Sequence, residues 1–256
     1  MRIAPHFLAA ASIAAFALVA GSASAQEKIV IASEGAYPPF NSLETDGTLT
    51  GFDIDIAKAL CEEMKAECEL VTNDWDGMIP ALQAKKFDAI IASMSITPER
   101  LQQVDFSKKY YNTGPAIAVP KDTDITDLEG LKGKTLGAQT STTHANYAEK
   151  HMPDSDLKLY PTADEYKLDI QNGRIDAVID DVVVLSEWVK SEDGACCKIL
   201  TPLTPDVEIN GEGAGIAVRK GDPLADKFTA AIAAIRENGK YKEINDKYFD
   251  FDVYGD

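Results

Sequence analysis

Short runs of consecutive apolar residues alternate along this chain with segments whose apolar residues recur every three or four positions. KIVIAS (28–33), CELVTN (68–73), FDAIIAS (87–93) and KTLGAQ (134–139) read as buried strands. Ile56, Ala57, Leu60 and Met64 recur at helical spacing, and WDGMIPALQAKK (75–86) reads as a second helix. Near the C-terminus, Asp222 is placed as an N-cap, with Pro223 next, then Leu224, Phe228, Ile232 and Ile235 on one face and Gly239 as the stop. A further short helix and tail follow in YKEINDKYFDFDVYGD (241–256). Strands alternating with helices predict an α/β protein with parallel sheets.

A repeat predicts two lobes. QAKKFDAIIAS (83–93) matches QNGRIDAVIDD (171–181) at a constant offset of 88, and KIVIASE against KTLGAQT is a weaker match at a different offset. Two units of one supersecondary type imply similar lobes, against the alternative of two ordinary helix-to-strand joints matching by chance. Ser93 and Asp181 then occupy equivalent places just past a strand's C-terminal end, the edge where open α/β sheets bind ligands.

The segment IIASMSITPER (90–100) carries a local conflict. Thr97 and Pro98 look like an N-cap and first helical residue, and a reciprocal cap would then want Glu or Gln at position 100. Arg100 stands there instead, a cation opposing the positive end of a helix. A ligand carboxylate resolves the conflict, taken by the planar guanidinium with the hydroxyls of Ser93 and Ser95 and the free N–H groups of the helix start. The competing reading is a structural ion pair with Glu99 or Asp105.

Asp181 is the counterpart for a cation, with Asp180 beside it expected to face solvent or cap a helix. An anion site opposite a cation site is the charge pattern of a zwitterionic amino acid. TSTTH (140–144) offers further N–H and hydroxyl donors at a helix start, or plain N-capping by Ser141 or Thr142. Glu34, Tyr37, Phe40 and Trp75 follow strands, where aromatics sandwich a ligand stem and a carboxylate selects a distal cation, unless Trp75 is simply half-buried packing.

Composition narrows the class. Residues 1–25, with Arg2, an apolar stretch from Phe7 to Ala20 and Ala23-Ser24-Ala25, form the pattern of a secretory signal cleaved after Ala25. The apolar run is shorter than the ~20 residues of a membrane span. The formal charge of −17 argues against nucleic acid or anionic lipid as partner. In an oxidising compartment Cys61 and Cys68, seven residues apart, favour a disulfide over two free core thiols. Adjacent Cys196 and Cys197 stay open between a vicinal disulfide, free thiols and an intermolecular link. With histidines past residue 25 limited to His144 and His151, and neither HExxH, P-loop nor GxSxG, enzyme and metal chemistry find little support.

GFDIDIAKALC, AKKFDAIIASMSITPER, GRIDAVIDD and KYFDFDVYGD, in this order, resemble the periplasmic substrate-binding proteins of ABC importers for polar amino acids. The likeness is nearest to the lysine/arginine/ornithine-, histidine- and octopine- or nopaline-binding proteins and covers essentially the whole chain after residue 25. It implies a monomeric, periplasmic, two-lobed (type II-like) α/β fold with two hinge strands that closes on its ligand and serves a membrane permease, without a cofactor. The implied lobes are 26–113 with 214–256, and 114–213. By the same resemblance Arg100, Ser93, Ser95 and Thr143 hold the ligand α-carboxylate, and Asp181 takes the α-ammonium. Tyr37 and Trp75 flank the side chain, Glu34 takes the distal cation, and Cys61 pairs with Cys68. Gln139 and Ala92 depart from the basic amino acid binders, which have an apolar residue and a serine there, and Cys196-Cys197 has no counterpart. An exported cyclohexadienyl dehydratase on the same scaffold, with Glu34 as general acid, is the alternative; a sensor module would use the same site.

Overall fold

The computed structural model describes residues 28–255; the expected signal at 1–25 lies outside them. The chain opens with β1 (Lys28–Ser33), β2 (Ala36–Tyr37), β3 (Asn41–Leu43), β4 (Leu49–Thr50) and α1 (Phe52–Glu63). Next come β5 (Glu67–Thr72), α2 (Met78–Gln83), β6 (Ala89–Ile90) and β7 (Val104–Phe106). A second series follows: β8 (Pro115–Pro120), β9 (Thr135–Gln139), α3 (Thr143–His151), β10 (Asp156–Tyr160), α4 (Ala163–Gln171), β11 (Ala177–Asp181), α5 (Val182–Lys190) and β12 (Cys197–Pro202). After α6 (Val207–Asn210) the chain returns through β13 (Ala217–Arg219) to α7 (Leu224–Glu237) and α8 (Lys240–Tyr248).

Two five-stranded sheets result, in the orders β5-β1-β6-β13-β7 and β10-β9-β11-β8-β12. The expected parallel strands occupy one side of each sheet, and antiparallel β13 with β7, or β8 with β12, completes it. A small antiparallel sheet β2-β3-β4, which the sequence did not suggest, sits at the entrance to α1. Each lobe has an apolar interior. Ile29, Ile31, Phe52, Ile56, Leu60 and Phe228 are buried beside the first sheet, and Ile117, Leu136, Ala138 and Ile179 beside the second.

The repeat is structural. β6 and β11 take the same place in their sheets, and the aspartate common to both copies performs the same task. Asp88 accepts from the Val30 N–H at 3.0 Å, and Asp176 from the Thr135 N–H at 2.8 Å, so each pins the neighbouring strand. Ile31 lies opposite Ala89 and Leu136 opposite Ala177. Because 89 and 177 are repeat equivalents, β1 and β9 correspond at an offset of 105 (31 to 136), one less than the alignment of KIVIASE with KTLGAQT implies.

Two segments cross between the sheets, one before β8 and one before β13, and they lie against each other. The Ala214 N–H donates to the Tyr111 carbonyl at 2.9 Å. Gly213, at φ +112°, could not carry a side chain there, since a Cβ would stand 2.6 Å from that carbonyl oxygen.

Several local expectations change. The helix read from Thr97 is only a 3-10 turn, Arg100–Gln102, although the Thr97 hydroxyl does accept from the Arg100 N–H at 3.2 Å. The second helix is confined to α2, and the FDAIIAS strand pairs only over Ala89–Ile90. Asp222 accepts from the Leu224 N–H at 3.1 Å, while Pro223 immediately precedes α7. The Cys61 and Cys68 sulfurs are bonded, joining α1 to β5, and of the three alternatives for Cys196 and Cys197 the vicinal pair is the one seen.

Candidate functional site

The strand ends of both sheets meet at a narrow cavity. Eight residues expected to bind ligand line it: Glu34, Tyr37, Trp75, Ser93, Ser95, Arg100, Gln139 and Thr143. Ala92, Thr142 and His144 complete the wall. β1 runs out there into Glu34, β9 ends there with Gln139, and α3 begins there.

Arg100 has no ion pair among the described residues. Its guanidinium donates to the carbonyls of Ser95 at 3.0 Å and Ser141 at 3.1 Å, and lies 5.3 Å from the Trp75 ring centroid. Asp105, the ion-pair alternative, holds Lys220 at 2.7 Å instead. Burial pushes the Arg100 pKa down to about 10, against the opposing charge of Glu99. A half-buried cation answered only by neutral carbonyls and an aromatic ring is under-compensated, and an anionic partner removes that cost.

The hydroxyls expected beside Arg100 are not all free to donate to an anion. The Ser93 hydroxyl donates to Asp53 at 2.9 Å, and its N–H donates to the Tyr110 hydroxyl at 3.0 Å, in a left-handed conformation with φ 56°. Asp53 explains this: wholly buried, with a pKa pushed up to about 6 by desolvation, it also collects Tyr110 and Asn41 as donors. Ser93 keeps its oxygen lone pairs, so toward the cavity it is an acceptor. Thr142, not Ser141, caps α3, accepting from the Ala145 N–H at 3.1 Å. This leaves the first N–H groups of α3 to Thr143 and His144 at the cavity wall.

Glu34 accepts from the Gln139 amide at 2.6 Å, and that amide also donates to the Pro161 carbonyl at 3.0 Å. Burial drives the Glu34 pKa up to about 7; the Gln139 bond opposes the shift, and Asp180, Asp164 and Asp76 add to it. Trp75 is half-buried, with Nε1 donating to the Ser141 carbonyl at 3.3 Å. One carbonyl thus receives both Trp75 and Arg100 across the cleft.

The two aspartates sit differently from what alternation suggests. Asp181 caps α5, accepting from the Val183 N–H at 2.7 Å, and receives the Thr113 hydroxyl. It is 5% exposed, does not line the cavity, and has a pKa raised by burial to about 6. Asp180, expected to face solvent or cap a helix, is 3% exposed. It accepts from the Tyr37 hydroxyl at 2.5 Å, from the Tyr166 hydroxyl, and from the Asp181 N–H at 2.7 Å, and it pairs with His144 Nδ1 at 3.0 Å. Burial opposes the charge on His144, but Asp180 outweighs it and raises the imidazole pKa. His144 was not singled out from the sequence, yet the signal used for Arg100 applied to it: a basic side chain among hydroxyls at a helix start.

A family model described as bacterial extracellular solute-binding proteins, family 3, matches residues 29–251. The L-arginine-binding protein of Pseudomonas aeruginosa is 46% identical over 237 residues, covering 91% of this chain and 92% of its own. The octopine-binding periplasmic protein of Rhizobium meliloti is 36% identical over 285 residues, covering 94% and 96%. Among solved structures, a periplasmic binding protein of Salmonella typhimurium described for high arginine specificity matches with a TM-score of 0.81 at 33% identity. That match covers 87% of this chain and 99% of the other.

Proposed function

The chain belongs to the bacterial extracellular solute-binding proteins of family 3, and from that premise we propose that it captures a cationic L-amino acid, or a related opine, between two closing lobes. It then delivers the ligand to the membrane permease of an ABC importer. Arginine heads the candidates, before lysine, ornithine and histidine. The observation that carries this reading is the charge arrangement of one cavity: Arg100, a half-buried cation without an acid partner among the described residues, on one wall, and Glu34, a half-buried carboxylate, on another. A zwitterion with a basic side chain complements both.

In this reading Arg100 takes the α-carboxylate bidentately, aided by the α3 N-terminus at Thr143 and by Ser95. Ser93, as acceptor, takes the α-ammonium, and Asp181, engaged by Thr113 and the α5 N-terminus behind the cavity wall, contributes its charge rather than a contact. Tyr37 and Trp75 flank the aliphatic stem, and Glu34, oriented by Gln139, takes the distal cation. The lobes are 26–113 with 214–256, and 114–213, working as a monomer in the periplasm. Among the described residues no helix is long and apolar enough to cross a membrane, which accords with a receptor that meets its permease from outside. The relatives are named as binding proteins, not enzymes, so the exported dehydratase is not taken up.

Calorimetric titration with arginine, lysine, ornithine, histidine and octopine tests the reading. Micromolar or tighter binding of at least one, about −8 kcal/mol or better, is expected. Absence of heat and of thermal stabilisation with all five overturns it.

A further inference from the structure

We propose that Asp180 is a positioning residue for ligand capture, tying Tyr37 of the first lobe to His144 and Tyr166 of the second so that the closed cleft is latched by the protein itself. The latch rests on the ligand reading above only for the probe used to test it.

The argument begins with the donors around this carboxylate. Tyr37, Tyr166, the Asp181 N–H and His144 all point at Asp180, which is buried and does not line the cavity. A ligand in the cavity meets the Tyr37 ring and His144 but not the carboxylate itself. The other bonds across the cleft differ in this respect. In the Glu34–Gln139 bond both partners line the cavity, and in the bonds from Arg100 and Trp75 to the Ser141 carbonyl the donating group itself is one the ligand takes or covers, whereas Tyr37 offers the ligand its ring and keeps its hydroxyl for Asp180. Of the contacts to Asp180, those from Tyr166, Asp181 and His144 lie within one lobe, and only that from Tyr37 crosses. Opening the cleft removes one donor from a buried anion, and closing it restores a charge-assisted bond.

The neighbours of Asp180 keep it charged for this task. Burial alone would favour its neutral form, but His144, Tyr166 and Tyr37 together hold its carboxyl below the usual range. His144 faces Asp180 and Asp181 on β11 and Arg100 from the opposite lobe, while Lys167 on α4 also feels Asp180. Tyr37 gains doubly: its hydroxyl is fixed in the second lobe while its ring stays on the cavity wall.

The test uses Asp180→Asn, Tyr37→Phe and the double variant of the whole exported chain. Stopped-flow measurements with arginine should show dissociation about ten-fold faster in Asp180→Asn, the loss expected of one hydrogen bond to a charged group. Association should stay within about two-fold, because the latch forms after encounter. The double variant should be no faster than the sum of the single effects and visibly short of it, as for two residues sharing one contact. A second measurement needs no ligand: hydrogen exchange of the amides of residues 36–41 and 142–145 should quicken alike in both single variants. An unchanged dissociation rate in folded Asp180→Asn, strict additivity of the two substitutions, or exchange unaffected in both overturns the latch. Failure of the unaltered protein to bind arginine overturns the ligand reading instead, and hydrogen exchange then decides on the latch alone.

Discussion

Glu34 and Gln139 occupy equivalent ends of β1 and β9 in opposite lobes, 105 residues apart in the repeat, and the amide of one donates to the carboxylate of the other at 2.6 Å. The two copies of the supersecondary unit thus face each other through corresponding positions, one charged and one neutral.

That pair sets a pH dependence. Glu34, ordinarily ionised above 4.5, has a pKa near 7 in the closed cleft because burial disfavours its charge. A cationic ligand needs it ionised, so binding at pH 6 releases close to one proton. Affinity for arginine should rise with pH between about 4.5 and 7 and level off above, with a slope of at most ten-fold per pH unit. Calorimetry at pH 6 and pH 8 in two buffers of different ionisation enthalpy measures the release. Equal proton release at both pH values refutes the assignment, and Glu34→Gln should abolish the slope and weaken preference for cationic ligands.

Arg100→Lys should leave the thermal midpoint nearly unchanged and weaken binding by about 2–3 kcal/mol, because an ammonium cannot copy the two-pronged contact with a carboxylate. Parallel titrations and melting curves check both halves. Wild-type affinity in this variant removes Arg100 from the carboxylate site.

Asp53 supports the site from behind, receiving Tyr110, Asn41 and Ser93. Asp53→Ala leaves three buried donors without their acceptor and should cost about 3 kcal/mol in stability. Chemical denaturation reads this. Asp53→Asn, which keeps an acceptor oxygen, should lose less.

The Cys61–Cys68 bond closes a loop with a sequence separation of seven. Replacing both cysteines by serine should lower stability by about 2.5 kcal/mol on the chain-entropy account, visible as a lower denaturant midpoint with arginine affinity preserved.

Much of this arrangement was legible in the sequence because it follows from periodicity and from one misplaced charge. The repeat at 83–93 and 171–181 locates the two central strands, and Arg100 declares itself by violating a helix-start preference. What was not legible depends on tertiary partners. Ser93 looked like a donor for an anion, but its hydroxyl is taken by Asp53, forty residues away in α1. Asp180 and Asp181 could not be told apart by alternation, because β11 ends at Asp181 and α5 takes that last residue as its cap, leaving Asp180 to the buried tyrosines. The short pairing of β6 has the same origin: the apolar run continues to Ala92, yet its backbone turns away into the cleft.

The two crossings between the lobes, bonded to each other at Tyr111 and Ala214, bear on how the protein reports its state. A single tether would act as a swivel, free to twist as well as to bend. Two strands fastened side by side act as a door hinge, with rotation about one line and little else. The opening angle then becomes one dial, and a permease that senses the spacing of the two lobe surfaces reads occupancy from that dial alone.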